Sequence, residues 1–171
     1  MLNKEVEHVL AALTPSNRLV CEVCLHTGLR VSDVLSLKTE QLKPVFYVKE
    51  LKTGKNRRVG LPAELLEKMK NNAGKRYIFQ HRLDWTKHRT RQAVWADVKR
   101  AAKAFRFRQN VAPHSFRKVY AVDLLKKYGD IERVRRALNH GNITTTMIYA
   151  LADSLLESKR LKNTVRHGKK F

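Results

Sequence analysis

Residues 45–61 read Val45-Phe46-Tyr47-Val48-Lys49-Glu50-Leu51-Lys52-Thr53-Gly54-Lys55-Asn56-Arg57-Arg58-Val59-Gly60-Leu61, and this stretch decides the fold class. Val45 to Val48 is a run of β-branched and aromatic residues that favours extended backbone. Lys52 to Asn56 has turn chemistry around Gly54, and Arg57 to Leu61 can return as a partner strand. No other pair of runs in the chain reads this way. The sequence on both sides has helical spacing. The expected class is therefore α+β, a mostly helical single domain with one small antiparallel sheet.

Towards the N-terminus, Val6, Val9, Leu10 and Leu13 repeat at helical spacing, and Pro15 marks a break. Pro15 suits the first turn of a second helix, capped by Thr14 and ended by Thr27-Gly28. A short helix follows from Ser32 to Leu37, with Val31, Val34 and Leu35 inward. Towards the C-terminus, Pro62 opens a helix to about Met69. Residues 71–74 read as a loop, and Tyr77-Ile78-Phe79 as a short extended piece. A basic helix runs from about Lys87 to Lys103, with Val94, Val98 and Ala101 as its apolar stripe. Another runs from Pro113 to Lys127. Gly129-Asp130 separates it from one that ends near Asn139-His140-Gly141. A last helix covers about Leu151 to Leu161. The domain is expected over residues 1–163, with a basic, disordered tail at 164–171.

The 171 residues carry 36 Lys and Arg against 15 Asp and Glu, a net charge of +21. Such an excess points to a polyanion, nucleic acid before an acidic membrane surface. Hydrophobic residues make up 43%, too many for a disordered basic tail. The charge is uneven. Residues 68–108 hold 13 basic and two acidic residues, net +11, whereas residues 1–42 hold four and five, net −1. The segment Arg82 to Arg108 is expected along a phosphate backbone, with Arg82, Lys87, Arg89 and Arg91 as contacts. No apolar run approaches the ~20 residues of a membrane span, and the N-terminus lacks a signal-peptide core. The expectation is a soluble intracellular protein, without a membrane partner.

Cys21 and Cys24 have C-x-x-C spacing, but a structural zinc site wants four ligands and no second pair exists. Both lie among Leu19, Val20, Val23 and Leu25 and read as buried core thiols. His81, Asp84 and His88 are poor metal ligands, because Arg82, Lys87 and Arg89 would repel a cation. No metal and no cofactor are expected.

Three segments carry chemistry. In Thr27-Gly28-Leu29-Arg30-Val31-Ser32-Asp33 an arginine follows a glycine helix end, and Asp33 can hold its guanidinium. In His114-Ser115-Phe116-Arg117 a histidine and an arginine share a helix face and suit a phosphate, with Phe116 and Tyr120 anchoring the other side. Leu138-Asn139-His140 leads through Thr144-Thr145-Thr146 to Tyr149. Taken singly, each has an ordinary reading: a surface ion pair, a solvated helix face, an amphipathic tyrosine at a core edge.

Taken in order, they resemble the catalytic domain of the tyrosine recombinase (phage integrase) family. The series Arg, Lys, His-x-x-Arg, His, Tyr agrees, as does the His140-to-Tyr149 spacing, and the resemblance covers nearly the whole chain. It implies that Arg30, Lys52, His114, Arg117 and His140 activate a DNA phosphodiester and that Tyr149 is the nucleophile. Lys55, three residues past Lys52, stays a competing candidate for the lysine. The implied product is a 3′-phosphotyrosyl link with a free 5′-hydroxyl, formed without metal or ATP. The implied partners are double-stranded DNA and three further copies of the chain, a homotetramer on two DNA sites. Asn139 stands where the family commonly has glycine; asparagine tolerates left-handed backbone. Asp33 stands where glutamate is frequent. Relatives usually carry a separate N-terminal DNA-clamping domain, so the chain is expected to be a fragment of a longer protein or a minimal member. Other classes that fit in part are a type IB topoisomerase-like enzyme, a non-catalytic DNA-binding module of the same fold, and a basic RNA-binding protein.

Overall fold

The structure, a computed structural model, describes residues 3–107 and 110–139. The expected last helix, the basic tail, His140 and Tyr149 lie outside the described residues. The chain divides into two compact units, Met1–Tyr120 and Ala121–Phe171.

The first unit begins with α1 (Asn3–Ala12) and α2 (Pro15–Thr27), followed by the short α3 (Val31–Leu35). The strands β1 (Val45–Lys49) and β2 (Asn56–Gly60) come next, then α4 (Ala63–Asn72), α5 (Arg91–Ala104) and α6 (Pro113–Tyr128). α6 crosses the boundary between the units. The two strands pair antiparallel in register Val45↔Gly60 to Lys49↔Asn56, as the opening stretch predicts. Strand alternation turns Phe46, Val48 and Val59 into the core and leaves Tyr47, Lys49 and Arg58 outside.

α2 is the hub: it packs against α1, α3, α4 and α5. Leu19, Val20, Cys21, Val23 and Cys24 are all buried, each large apolar side chain contributing about 1.5–3 kcal/mol. The two cysteines are free thiols in this core. Burial pushes the Cys24 thiol up to about 12, so it stays protonated and inert at neutral pH.

Three expectations shift. Thr14 occupies the N-cap position of α2 but does not cap it. Its hydroxyl donates instead to Asp97 on α5 (2.8 Å), and its backbone N–H to the same oxygen (2.9 Å). Asn17 Nδ2 and Arg100 complete the shell of Asp97, so the α1–α2 corner is tied to α5. The basic helix starts at Arg91 rather than near Lys87, because Thr90 caps it by accepting from the Ala93 N–H (3.2 Å). α4 runs three residues past Met69, to Asn72.

In the second unit, Gly129 (φ 65) ends α6, and its N–H donates to the Leu125 carbonyl (2.7 Å). Asp130 caps α7 (Ile131–Ala137) by accepting from Glu132 N and Arg133 N. Asn139 has φ 54, the left-handed backbone expected of it.

Candidate active site

The site starts from the way α2 ends. Gly28 has φ 64, and its N–H donates to the Cys24 carbonyl (2.9 Å). A Cβ here would also lie 2.4 Å from Tyr120 Cδ1, so both backbone and packing demand glycine. The turn leaves the carbonyls of Thr27 and Gly28 pointing away from the helix as the negative end of its dipole. Arg57 of β2 donates to both, and Arg117 of α6 donates to Gly28 O. Arg117 is 1% exposed, which rules out a solvated helix face for it. Burial, then Arg30 and Arg57, pull its pKa down to about 10, so it remains cationic at neutral pH.

Arg30 follows at the N-cap of α3 with extended backbone. Its main partner is not Asp33, as expected, but Glu50 at the end of β1. Arg30 Nη1 donates to Glu50 Oε2 at 2.6 Å and stands 3.8 Å from Asp33 Oδ2. Asp33 is held elsewhere: its Oδ1 accepts the Leu51 N–H at 2.9 Å. The fully buried Glu50 also accepts from Thr53 Oγ1 (2.9 Å) and faces Arg57 Nη1 at 3.8 Å. Burial raises the Asp33 pKa. The same burial works on Glu50, but the hydrogen bonds from Arg30 and Thr53 reverse it and leave that carboxyl lowered.

Two carboxylates thus fix the hairpin turn to α3 and hold Arg30 and Arg57 in place. Lys52 is the next residue after the anchored Leu51. It is exposed, as is Lys55. His114, in the first turn of α6, has its pKa lowered by partial loss of solvent and then by Lys118, Arg117, Arg30 and Lys52. Lys52 is therefore within electrostatic reach of His114. A neutral imidazole at pH 7 is a proton acceptor. His114 and Arg30 also border one cavity of about 430 Å³, with Arg91, Gln92, Trp95 and Pro113 on its other walls.

Among the expected site residues, Arg30, His114 and Arg91 border one cavity, Arg117 is held at the Gly28 carbonyl beside them, and Lys52 stands exposed on the hairpin turn. Arg82 and Lys87 sit exposed on the loop before α5. Arg89 departs from the expectation of a free backbone contact. It is half-buried, and its Nε donates to Asn17 Oδ1 at 2.6 Å, holding α2. Glu50 and Arg57 were missed. A lone acid and one of two adjacent arginines give no periodic signal, although an acid inside a basic hairpin was a clue. Among the described residues no cluster of three His, Cys, Asp or Glu side chains could hold a metal ion. Asp84 is occupied by Thr86 and Lys87.

Comparison with known proteins gives a consistent picture. The chain is 30% identical over 161 residues to the tyrosine recombinase XerA of Pyrococcus furiosus, covering 89% of this chain and 54% of that protein. It is 28% identical over 149 residues to the tyrosine recombinase XerD of Lacticaseibacillus casei, covering 78% and 49%. The chain thus spans about half the length of the curated relatives it matches. A crystal structure of XerA recombinase superposes with a TM-score of 0.74 at 20% identity, covering all of this chain and 64% of that one. A lambda integrase dimer bound to a COC′ core site gives 0.75 at 22%, covering 88% and 58%. These likenesses establish the fold. The sequence profile of the phage integrase family matches residues 1–154, and with that match the chain belongs to the phage integrase family.

Proposed function

We propose that this chain is the catalytic domain of a site-specific DNA recombinase that breaks and rejoins duplex DNA through Tyr149. The observation that carries the reading is the gathering of Arg30, Arg57 and Arg117 about two buried carboxylates and the end of α2, with His114 beside Arg30 at one cavity. Such an array is preorganised for a phosphate, whose charge grows in a pentavalent transition state. Solved relatives, among them XerH bound to its difH substrate and lambda integrase on its core site, support DNA as the partner.

In the reaction, Arg30 and Arg117 grip the non-bridging oxygens, and His140 donates a further hydrogen bond. The phenolic oxygen of Tyr149 attacks phosphorus, its proton passing to neutral His114. The bond from phosphorus to the 5′-oxygen breaks, and Lys52 protonates the leaving oxygen. The 3′-phosphotyrosyl ester retains the bond energy, so attack by another 5′-hydroxyl reseals the strand and returns both protons. Lys52 follows Leu51, whose N–H Asp33 holds, and is taken as the general acid, with Lys55 as the competing candidate. Arg82, Lys87 and Arg91 contact the backbone, and four copies act on two sites.

The test begins with a duplex selected by the protein from random DNA. A nicked version traps the covalent step, and a denaturation-resistant protein–DNA adduct is expected without added metal. Tyr149→Phe should abolish it. An undiminished adduct in that variant would refute the nucleophile assignment.

A further inference from the structure

Residues 80–89 leave the core and return to it as a tight, preordered loop. At the stem, Gln80 and His88 form an antiparallel bridge. His81 N donates to Lys87 O (2.9 Å), and Arg89 N donates to Phe79 O (2.7 Å). At the tip, Asp84 organises the turn. Its Oδ1 accepts from Thr86 N and Thr86 Oγ1, and its Oδ2 pairs with Lys87 Nζ at 2.9 Å. The loop is anchored below by Arg89 on Asn17.

This scaffold displays two apolar side chains to solvent. Leu83 is 82% exposed and Trp85 is 54% exposed. Nothing in the recombination chemistry uses them. Cations flank them: Arg82 is exposed, and Lys75 Nζ lies 5.8 Å from the Trp85 ring. The one local acid, Asp84, is already neutralised by Lys87. A partner protein is the poorer fit, because interface cores are depleted of charge. Duplex DNA offers the required mixture, a polyanionic rim around the apolar faces of stacked bases.

We propose that the 80–89 loop is a second DNA-binding element, in which Leu83 and Trp85 wedge against base pairs while Arg82 and Lys75 meet the flanking phosphates. This rests on the DNA-recombinase reading above. Six residue steps lead from Trp85 to Arg91 at the cavity edge, a reach of at most about 22 Å, so the wedge acts on the flank of the cleavage site. Its consequence is local unstacking or bending of DNA there, which lets the duplex wrap more of the basic surface.

The experiment measures duplex affinity over a salt series for wild type, the double variant Leu83→Ser/Trp85→Ala, and Arg82→Ala. Apolar contacts release no counterions. The double variant should therefore lose about tenfold in affinity with an unchanged slope of log K against log salt, whereas Arg82→Ala should flatten the slope by about one. Melting temperature serves as the folding control, and the high exposure of both side chains predicts that it does not move. In a Trp95→Phe background, Trp85 is the sole tryptophan. Its fluorescence should be quenched by duplex DNA, and 2-aminopurine placed near the nick should brighten. Unchanged affinity in the double variant would overturn the proposal. So would Trp85 emission that responds to protein concentration or to anionic phospholipid vesicles but not to DNA. If wild type binds DNA through Trp85 yet forms no covalent adduct, the recombinase reading fails and the wedge stands. If the double variant still forms the adduct at saturating protein with wild-type affinity, the wedge fails and the recombinase reading stands.

Discussion

Replacing Glu50 with glutamine removes one negative charge from beneath two arginines while keeping the side chain's shape. The glutamate has no solvent exposure, and Arg30, its 2.6 Å partner, is 19% exposed. Breaking a fully buried pair by removing one member costs about 3–5 kcal/mol. Glutamine retains one acceptor oxygen and Arg30 keeps some water, which lowers the expectation to about 2–3 kcal/mol. In a chain of 171 residues this is a fall in melting temperature of about 4–12 °C. The pH dependence is the sharper signature. Burial alone would raise the Glu50 pKa, and the bonds from Arg30 and Thr53 hold it below its ordinary 4.5. A lowered carboxylate contributes stability that is present above its unfolded value and lost as pH falls through its folded value. The stability gap between wild type and Glu50→Gln should be full at neutral pH and close below about pH 4.5. Asp33, raised by burial and further by the Glu50 charge, has the opposite sign, present below 3.8 and lost as pH rises. Removing that charge eases Asp33 and trims the gap at neutral pH without changing its direction. Chemical denaturation of both across this range is the assay. A gap of equal size in acid and at neutrality would refute the charge-pair account and leave only a packing defect.

Gly28→Ala meets a φ of 64° and a Tyr120 ring carbon at 2.4 Å, and should cost about 2–4 kcal/mol in urea denaturation. Adding Tyr120→Ala should relieve the clash between the two side chains but not the backbone strain. Lys52→Ala should abolish cleavage of ordinary DNA and be rescued on a substrate with a 5′-bridging phosphorothiolate, whose leaving group needs no acid; absence of rescue would shift the role to Lys55. Neither Cys21 nor Cys24 should react with iodoacetamide in the folded chain, given full burial and a Cys24 thiol near 12; rapid stoichiometric labelling under native conditions would contradict the core described.

The hairpin, the glycine stop at 28, the helix breaks at Pro15 and Gly129 and the buried cysteines were legible because each depends on local backbone preference or on apolar spacing. The partnership of Arg30 was not. Asp33, three residues away, is the choice local spacing suggests, while Glu50 is brought in by the hairpin from twenty residues on. Thr14 illustrates the same limit: its position predicts a helix cap, but Asp97 on α5 claims the hydroxyl. The start of α5 was misplaced because the charge run from Lys87 looked continuous with the helix. Thr90 was the overlooked capping signal, and the residues before it are a loop built on Asp84. Arg57 and Arg117 meet through the Gly28 carbonyl, a contact that side-chain patterns do not record.

That carbonyl has a consequence for how the site tolerates sequence drift. Arg57 and Arg117 are moored to main-chain oxygens of residues 27 and 28, atoms present whatever side chain stands there. Substitution cannot delete this mooring as it could an acidic partner. It can be lost only by redirecting the chain at the end of α2. The constraint on two cationic residues is thereby concentrated on the backbone angle of one glycine, leaving the surrounding surface free to vary.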